Sequence, residues 1–146
     1  MKRIALLLII ICGLTIDSKA QQDGIGIGLI LGYPATGISA KVFTGSHAFD
    51  AAAAWSLNNE GGYFLAWADY LVHNYSISSS LPWYLGVGGF VGFGRTAGIG
   101  ARVPLGITYL FDGPFDIFVE IAPALEILPT LDLNINSGIG FRYYIR

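Results

Sequence analysis

Three features are scarce in this sequence: cysteine, charge and long apolar runs. The single cysteine, Cys12, cannot form an internal disulfide. Only 12% of the residues are charged, whereas about a quarter are charged in a typical soluble domain. Although 53% of the chain is hydrophobic, the apolar residues after position 12 do not form a block of the roughly 20 that a membrane-spanning helix needs. We therefore expect one domain, without disulfides or helical spans.

Basic patches and metal-ligand spacings are also missing. Because the sequence has no basic patch, nucleic acid is not an expected partner. The two histidines, His47 and His73, do not form an H-x-x-x-H pair, so we predict no metal site. The glycine-rich runs at 24–28 and 86–94 lack phosphate-binding spacing followed by a helical pattern, so we predict no cofactor.

Residues 1–20 have the composition of a secretory signal peptide. Lys2 and Arg3 form its positive end, an apolar stretch follows, and Ala20 is the small residue before a cleavage site. We predict cleavage near Ala20. The mature domain, residues 21–146, then keeps five basic and nine acidic residues.

Residues 97–110 show the pattern on which the fold prediction depends. From Ile99 to Tyr109 every second residue is apolar or aromatic, and the positions between them hold glycines, a proline, Arg102 and Thr108. A period of two places these sets on opposite faces of a strand. The apolar face would contact a core in a soluble sheet. In a membrane barrel it would contact lipid, and the small and polar face would line the lumen.

The same alternation recurs in eight segments joined by short turns. Eight strands, an even number, bring both chain ends to the same side of a barrel. We predict an all-β fold, an eight-stranded antiparallel up-and-down transmembrane β-barrel. The predicted strands are 23–32, 37–43, 48–57, 62–73, 82–92, 97–110, 115–125 and 131–145.

Two sets of side chains fit a membrane barrel. If the chain starts on the periplasmic side, outward aromatic residues gather at that end of the strands, as an interfacial girdle does. These aromatic residues are Phe49, Tyr70, Trp83, Tyr109, Phe115 and Tyr143. The inward charges include three of each sign and can form a compensated polar network in the lumen. These charged residues are Lys41, Asp50, Asp69, Arg102, Glu120 and Arg142.

Two prolines lie inside predicted strands. Pro104 and Pro123 each remove a donor from the hydrogen-bond ladder of the sheet. We expect a local bulge or an early strand end at both positions, with Pro123 marking where the seventh strand leaves the bilayer.

At this point the pattern resembles a known family. It is similar to the small eight-stranded outer-membrane barrels of the OmpA transmembrane-domain and OmpX type, and to a short family of uncharacterised outer-membrane β-barrel proteins. The resemblance implies the outer membrane of a Gram-negative cell, with outer-membrane lipid and the barrel assembly machinery as partners. Barrels of this class usually end on an aromatic residue, whereas this chain ends Ile145-Arg146. The matching runs are GIGLILGYPATGISAK (26–41), LPWYLGVGG (81–89), ARVPLGITYLF (101–111), DIFVEIAPALEILP (116–129) and GIGFRYY (138–144).

Four functions are compatible with this architecture. The favoured one is a non-enzymatic outer-membrane barrel with a structural or surface-contact role and an unknown surface ligand, if any. The alternative is a soluble periplasmic or secreted lipocalin-like barrel that binds a small apolar ligand. A narrow pore is disfavoured because side chains about fill the interior of eight strands. A lipid-modifying enzyme would require His73 to bond one of the serines that follow it.

Overall fold

The computed structural model describes residues 24–56, 62–94 and 97–145. The predicted signal peptide and its cleavage site lie outside the described residues. The described ranges contain antiparallel strands, and no helix in them has the length and apolar character needed to cross a bilayer. The strands are β1 Ile25–Tyr33, β2 Thr36–Thr44, β3 His47–Ser56, β4 Tyr63–Asn74, β5 Trp83–Phe93, β6 Ala97–Arg102, β7 Leu105–Leu110, β8 Phe115–Leu128 and β9 Asp132–Ile145.

The strands form a closed ring. Each strand pairs with the next in antiparallel register, except that β6 and β7 do not pair with each other, and β1 also pairs with β9, which closes the sheet. β6 and β7 are two halves of one predicted strand, because both pair with β5 on one side and β8 on the other. The ring is therefore eight strands around. This confirms the predicted all-β, eight-stranded, antiparallel up-and-down barrel.

The strands are staggered around the ring. The row of paired residues that begins at Gly26 runs from β2 through to β8 and reaches β9 at Asn134. Gly26 itself pairs with Tyr144 of β9, ten residues away from Asn134. A stagger of ten residues over eight strands tilts the strands by roughly 40° from the barrel axis.

The barrel has two different ends. At one end, β1 begins and β9 ends, and we call it the terminal end. The turn at 45–46 and the segments 75–82 and 111–114 also lie there. At the other end, β8 and β9 form a hairpin through residues 129–131, and we call it the hairpin end.

The two prolines behave differently. Pro104 lies in the break between β6 and β7, as predicted. The bulge or early strand end expected at Pro123 was wrong, because β8 continues through it to Leu128, three residues beyond the predicted end at 125. The carbonyl of Pro123 still accepts a hydrogen bond from the Val103 amide at 2.9 Å, and Pro123 pairs with Ile135 on the other side. The β8 ladder therefore loses a donor without ending.

Candidate functional site

The interior of the barrel holds the charged residues that the alternation places inward. Lys41, Asp50, Asp69, Arg102, Glu120 and Arg142 are all buried, each with at most 4% of its surface exposed. They come from six different strands, β2, β3, β4, β6, β8 and β9. The structure gathers them into two ion-pair clusters and a separate lysine.

The first cluster is centred on Arg142. Its Nη2 lies 2.9 Å from both carboxylate oxygens of Asp50, and its Nε donates to the Ser39 hydroxyl at 3.1 Å. The guanidinium also lies over the ring of Phe118, 3.7 Å from the centroid. A guanidinium held by a carboxylate, a hydroxyl and an aromatic face is well compensated for its removal from water.

The second cluster is centred on Arg102. Its Nη2 pairs with Glu120, and its Nε lies 3.3 Å from Asp69 Oδ2. The other oxygen of Glu120 accepts a hydrogen bond from the Tyr84 hydroxyl at 2.7 Å. The guanidinium lies 4.7 Å from the centre of the Trp67 ring. Arg102 thus joins β4 and β8 across the lumen.

Lys41 has a different environment. Its Nζ lies 2.9 Å from His73 Nε2 and donates to that nitrogen. It also lies 4.9 Å and 4.6 Å from the ring centres of Phe43 and Tyr84. Aromatic faces and an imidazole nitrogen surround this cation, which makes no direct ion pair with a described carboxylate.

Four buried titratable groups were missing from the predicted network: His73, Tyr84, Asp116 and Tyr144. Asp116 is buried and accepts a hydrogen bond from the Tyr144 hydroxyl at 2.5 Å. The described interior therefore holds three Lys or Arg side chains and four carboxylates rather than three of each. The alternation of each strand already placed these four residues on its inward face. They could therefore have been predicted from the inward positions of the strands, whereas a search for charge alone missed them.

Inward glycines make the space that the large interior side chains occupy. A Cβ added to Gly106 would lie 2.3 Å from the Tyr84 ring, and one added to Gly140 would lie 2.2 Å from the Phe118 ring. At Gly88 it would lie 1.9 Å from a carboxylate oxygen of Asp69. Within the two glycine-rich runs, Gly26 lies against the Tyr144 ring and Gly88 against Asp69, so these two glycines leave room for interior side chains.

Apolar clusters lie on both sides of the charges. Towards the hairpin end, Trp67, Phe90, Leu65 and Ile30 belong to one cluster. Towards the terminal end a second cluster contains Phe43, Ala48, Leu71, Tyr84 and Tyr144. A cavity bordered by Trp67, Arg102 and Glu120 has a volume of only about 10 Å³. A cavity of that volume can hold about one water molecule, so an apolar ligand does not fit there.

The six aromatic residues predicted to form a girdle all lie near the terminal end. Phe49, Tyr70 and Tyr109 have 61%, 38% and 48% of their surface exposed. Trp83, Phe115 and Tyr143 are half-buried. Neighbouring rings contact each other: the centroids of Phe49 and Tyr70 are 5.2 Å apart, and those of Phe115 and Tyr143 are 5.3 Å apart.

A second group of outward aromatic residues lies near the hairpin end and was not predicted. Trp55 pairs with Phe64, and Phe64 pairs with Phe93, so three neighbouring strands present an aromatic side chain at this rim. Tyr33 adds a fourth on β1 and is 72% exposed. This second group could have been predicted from the aromatic residues in the outward positions near the ends of β3, β4 and β5.

The serine–histidine arrangement that an enzyme would require is not formed in the described structure. His73 is buried in the lumen with its Nε2 bonded to Lys41. Ser76, Ser78 and Ser79 are exposed in the following segment, and none of them is hydrogen-bonded to His73. Among the described residues, no group of three His, Cys, Asp or Glu side chains has a metal-binding arrangement.

Comparison with solved structures finds barrels of the same shape. The N-terminal β-barrel domain of Pseudomonas aeruginosa OprF is similar with a TM-score of 0.66 and 16% sequence identity, over 84% of this chain and 98% of that domain. Neisserial surface protein A (NspA) is similar with a TM-score of 0.55 and 15% identity, over 83% of this chain and 94% of that protein. At these identities the likeness establishes the fold alone.

Sequence comparisons give the family. No curated protein matches the chain by sequence. A family model matches residues 16–145, which is most of the chain. The chain therefore belongs to the family described as protein of unknown function (DUF3996).

Proposed function

We propose that the mature chain is a non-enzymatic integral β-barrel of the Gram-negative outer membrane, with a structural or surface-contact role. One observation carries the proposal. In the described strands, no position whose side chain points outward holds Asp, Glu, Lys or Arg. The buried acidic and basic side chains of the strands face the lumen, while Ile, Leu, Val and aromatic residues cover the outer wall.

This distribution fits hydrocarbon as the outer solvent. A charged side chain in the middle of the lipid face of a barrel costs about 2–4 kcal/mol for Arg or Lys, whereas water imposes no such cost. A soluble sheet of this size would carry polar residues on its exposed face. The two groups of outward aromatic residues would then lie at the two membrane interfaces. Within this proposal the chain is placed among the small barrels of the OmpA transmembrane-domain and OmpX type.

The interior supports a closed lumen. The clusters around Arg102 and Arg142 cross the barrel, and apolar side chains lie on both sides of them. The same packing argues against the lipocalin-like alternative, because a ligand-binding barrel needs an internal cavity of a few hundred Å³. We assign the interior charges a structural role and the outward aromatic residues a role as membrane-interface anchors.

Membrane fractionation tests the proposal. We expect the protein in the outer-membrane fraction, released only by detergent, with Gln21 as its first residue after cleavage near Ala20. Folded protein should migrate differently from boiled protein on a gel, because a closed barrel resists unfolding by detergent. A protein that stays monodisperse in buffer without detergent would overturn the proposal and favour the soluble barrel.

A further inference from the structure

The tip of the β8–β9 hairpin carries an apolar outer face. Ile127, Leu131 and Leu133 have 52%, 76% and 70% of their surface exposed. Glu126, Asp132 and Asn134 occupy the alternating positions on the opposite face. An amphipathic hairpin of this kind has one face suited to an apolar environment and one suited to water.

The tip stands at the height of the aromatic rim. The paired row that starts at Leu133 reaches Gly89 of β5, three strands away. With ten residues of stagger over eight strands, the level shifts by about four residues across three strands. The β5 residue level with Leu133 is therefore Phe93, which belongs to the outward aromatic group.

The outer face of the tip continues the outer wall of the barrel without a polar interruption on β8. From Phe115 to Ile127 every outward position of β8 is apolar. This run is thirteen residues long, and its twelve residue-to-residue steps correspond to about 30 Å of height at a tilt of roughly 40°. An outer-membrane barrel typically has an apolar band of about 25 Å. The run thus spans the band and reaches its far boundary.

We propose that the outer face of the hairpin tip, formed by Ile127, Leu131 and Leu133, contacts membrane lipid at the boundary between acyl chains and headgroups. The inference rests on the proposed membrane location of the barrel. On this side of the rim, the apolar residues of the tip act as the membrane anchor that aromatic residues provide on β3, β4 and β5. Glu126, Asp132 and Asn134 face water above the lumen.

The open edge of β9 limits how deep the tip lies. The pairing of β9 with β1 ends at Ser137, so the backbone of residues 132–136 has β8 alone as its described sheet neighbour. Unpaired backbone groups are not tolerated in the hydrocarbon centre, but water and headgroups satisfy them at the boundary. The edge therefore places the tip at the interface rather than deeper.

Single-cysteine labelling tests the contact. The predicted mature chain, residues 21–146, contains no cysteine, so an environment-sensitive fluorophore is attached at Leu133→Cys, at its neighbour Asn134→Cys, and at Ile139→Cys on the outer wall of the same strand. The labelled barrels are folded into phosphatidylcholine vesicles that contain nitroxide-labelled lipid. A heat-modifiable gel shift verifies folding of each variant. Ile127→Cys and Glu126→Cys form a second matched pair.

The expected result is strong lipid quenching at Ile139, at least about half as much at Leu133 and Ile127, and little at Asn134 and Glu126. If the label at Ile139 is quenched but the label at Leu133 is quenched no more than the label at Asn134, the tip contact is overturned and the membrane barrel is not. Absence of quenching at Ile139 would overturn both. Disulfide cross-links between Leu133→Cys copies, without lipid quenching at that position, would show that a second chain covers the tip and would also overturn the contact.

Discussion

Arg142 and Asp50 form an ion pair across the lumen although their strands, β9 and β3, are not neighbours in the sheet. The Nη2 atom of Arg142 lies 2.9 Å from each carboxylate oxygen of Asp50, and both side chains are at most 3% exposed. The pair is 92 residues apart in the sequence. The pair connects two strands that are not adjacent in the ring, so we expect it to contribute to the stability of the barrel.

Removing the charge of Asp50 should destabilise the barrel. Asp50→Asn leaves the Arg142 guanidinium buried without its carboxylate, and breaking a buried pair in this way costs about 3–5 kcal/mol. The measurement is urea unfolding of barrels in lipid vesicles, followed by tryptophan fluorescence. Asp132→Asn, at an exposed site on the hairpin, is the control and should stay within about 0.5 kcal/mol of the wild type. Equal losses in both variants would contradict the structural role of the pair.

Adding a methyl group at Gly106 should also destabilise the barrel. Its Cβ would lie 2.3 Å from the Tyr84 ring, which cannot shift freely because its hydroxyl is bonded to Glu120. Overpacking of this kind costs about 1–3 kcal/mol. Gly89→Ala is the matched control, because an added Cβ there has its nearest neighbour at 3.5 Å. The same unfolding assay compares the two, and a neutral Gly106→Ala would show that Tyr84 is free to move.

A charge on the outer wall distinguishes lipid from water as the outer solvent. Ile121 is 49% exposed and lies on the outer wall of β8. In a bilayer, Ile121→Arg should cost about 2–4 kcal/mol, whereas Thr44→Arg at the terminal rim should cost about 0–1 kcal/mol. Folding yield and urea midpoint in vesicles measure both. An Ile121→Arg variant as stable as the wild type would contradict the membrane location.

Replacing Pro123 should restore a ladder hydrogen bond. The Val103 amide donates to the Pro123 carbonyl, but proline has no amide hydrogen to donate back. Pro123→Val supplies that donor and should raise the free energy of unfolding by about 1 kcal/mol. Leu125→Val, also outward on β8, controls for the change of side chain. Loss of stability on Pro123→Val would show that this stretch of backbone needs the proline.

The closed lumen predicts the electrical behaviour of the barrel. In planar bilayers the wild type should give no conductance steps, because side chains about fill an eight-stranded interior. Truncating the stacked pair Arg142 and Phe118 to alanine should open space and produce small, fluctuating steps. The outward pair Ile117 and Phe141, truncated in the same way, should not. Steady steps from the wild type would overturn the closed lumen.

Much of the fold followed from local patterns. The period of two placed Lys41 and Glu120 inside and Phe49 outside, because a strand turns alternate side chains to opposite faces whatever its partners are. Pro104 predicted the break between β6 and β7 for a similarly local reason, the missing donor. Pro123 did not end its strand, since β9 continues to pair along β8 past it.

The sequence by itself determined which face of each strand is apolar, the number of strands, and hence the class of barrel. Only the tertiary structure decided that Arg142 pairs with Asp50 while Arg102 pairs with Asp69 and Glu120, and that Lys41 is bonded to His73. Strand alternation is a property of a few consecutive residues. Contacts across the lumen depend on the ten-residue stagger of the whole ring, which no single segment encodes.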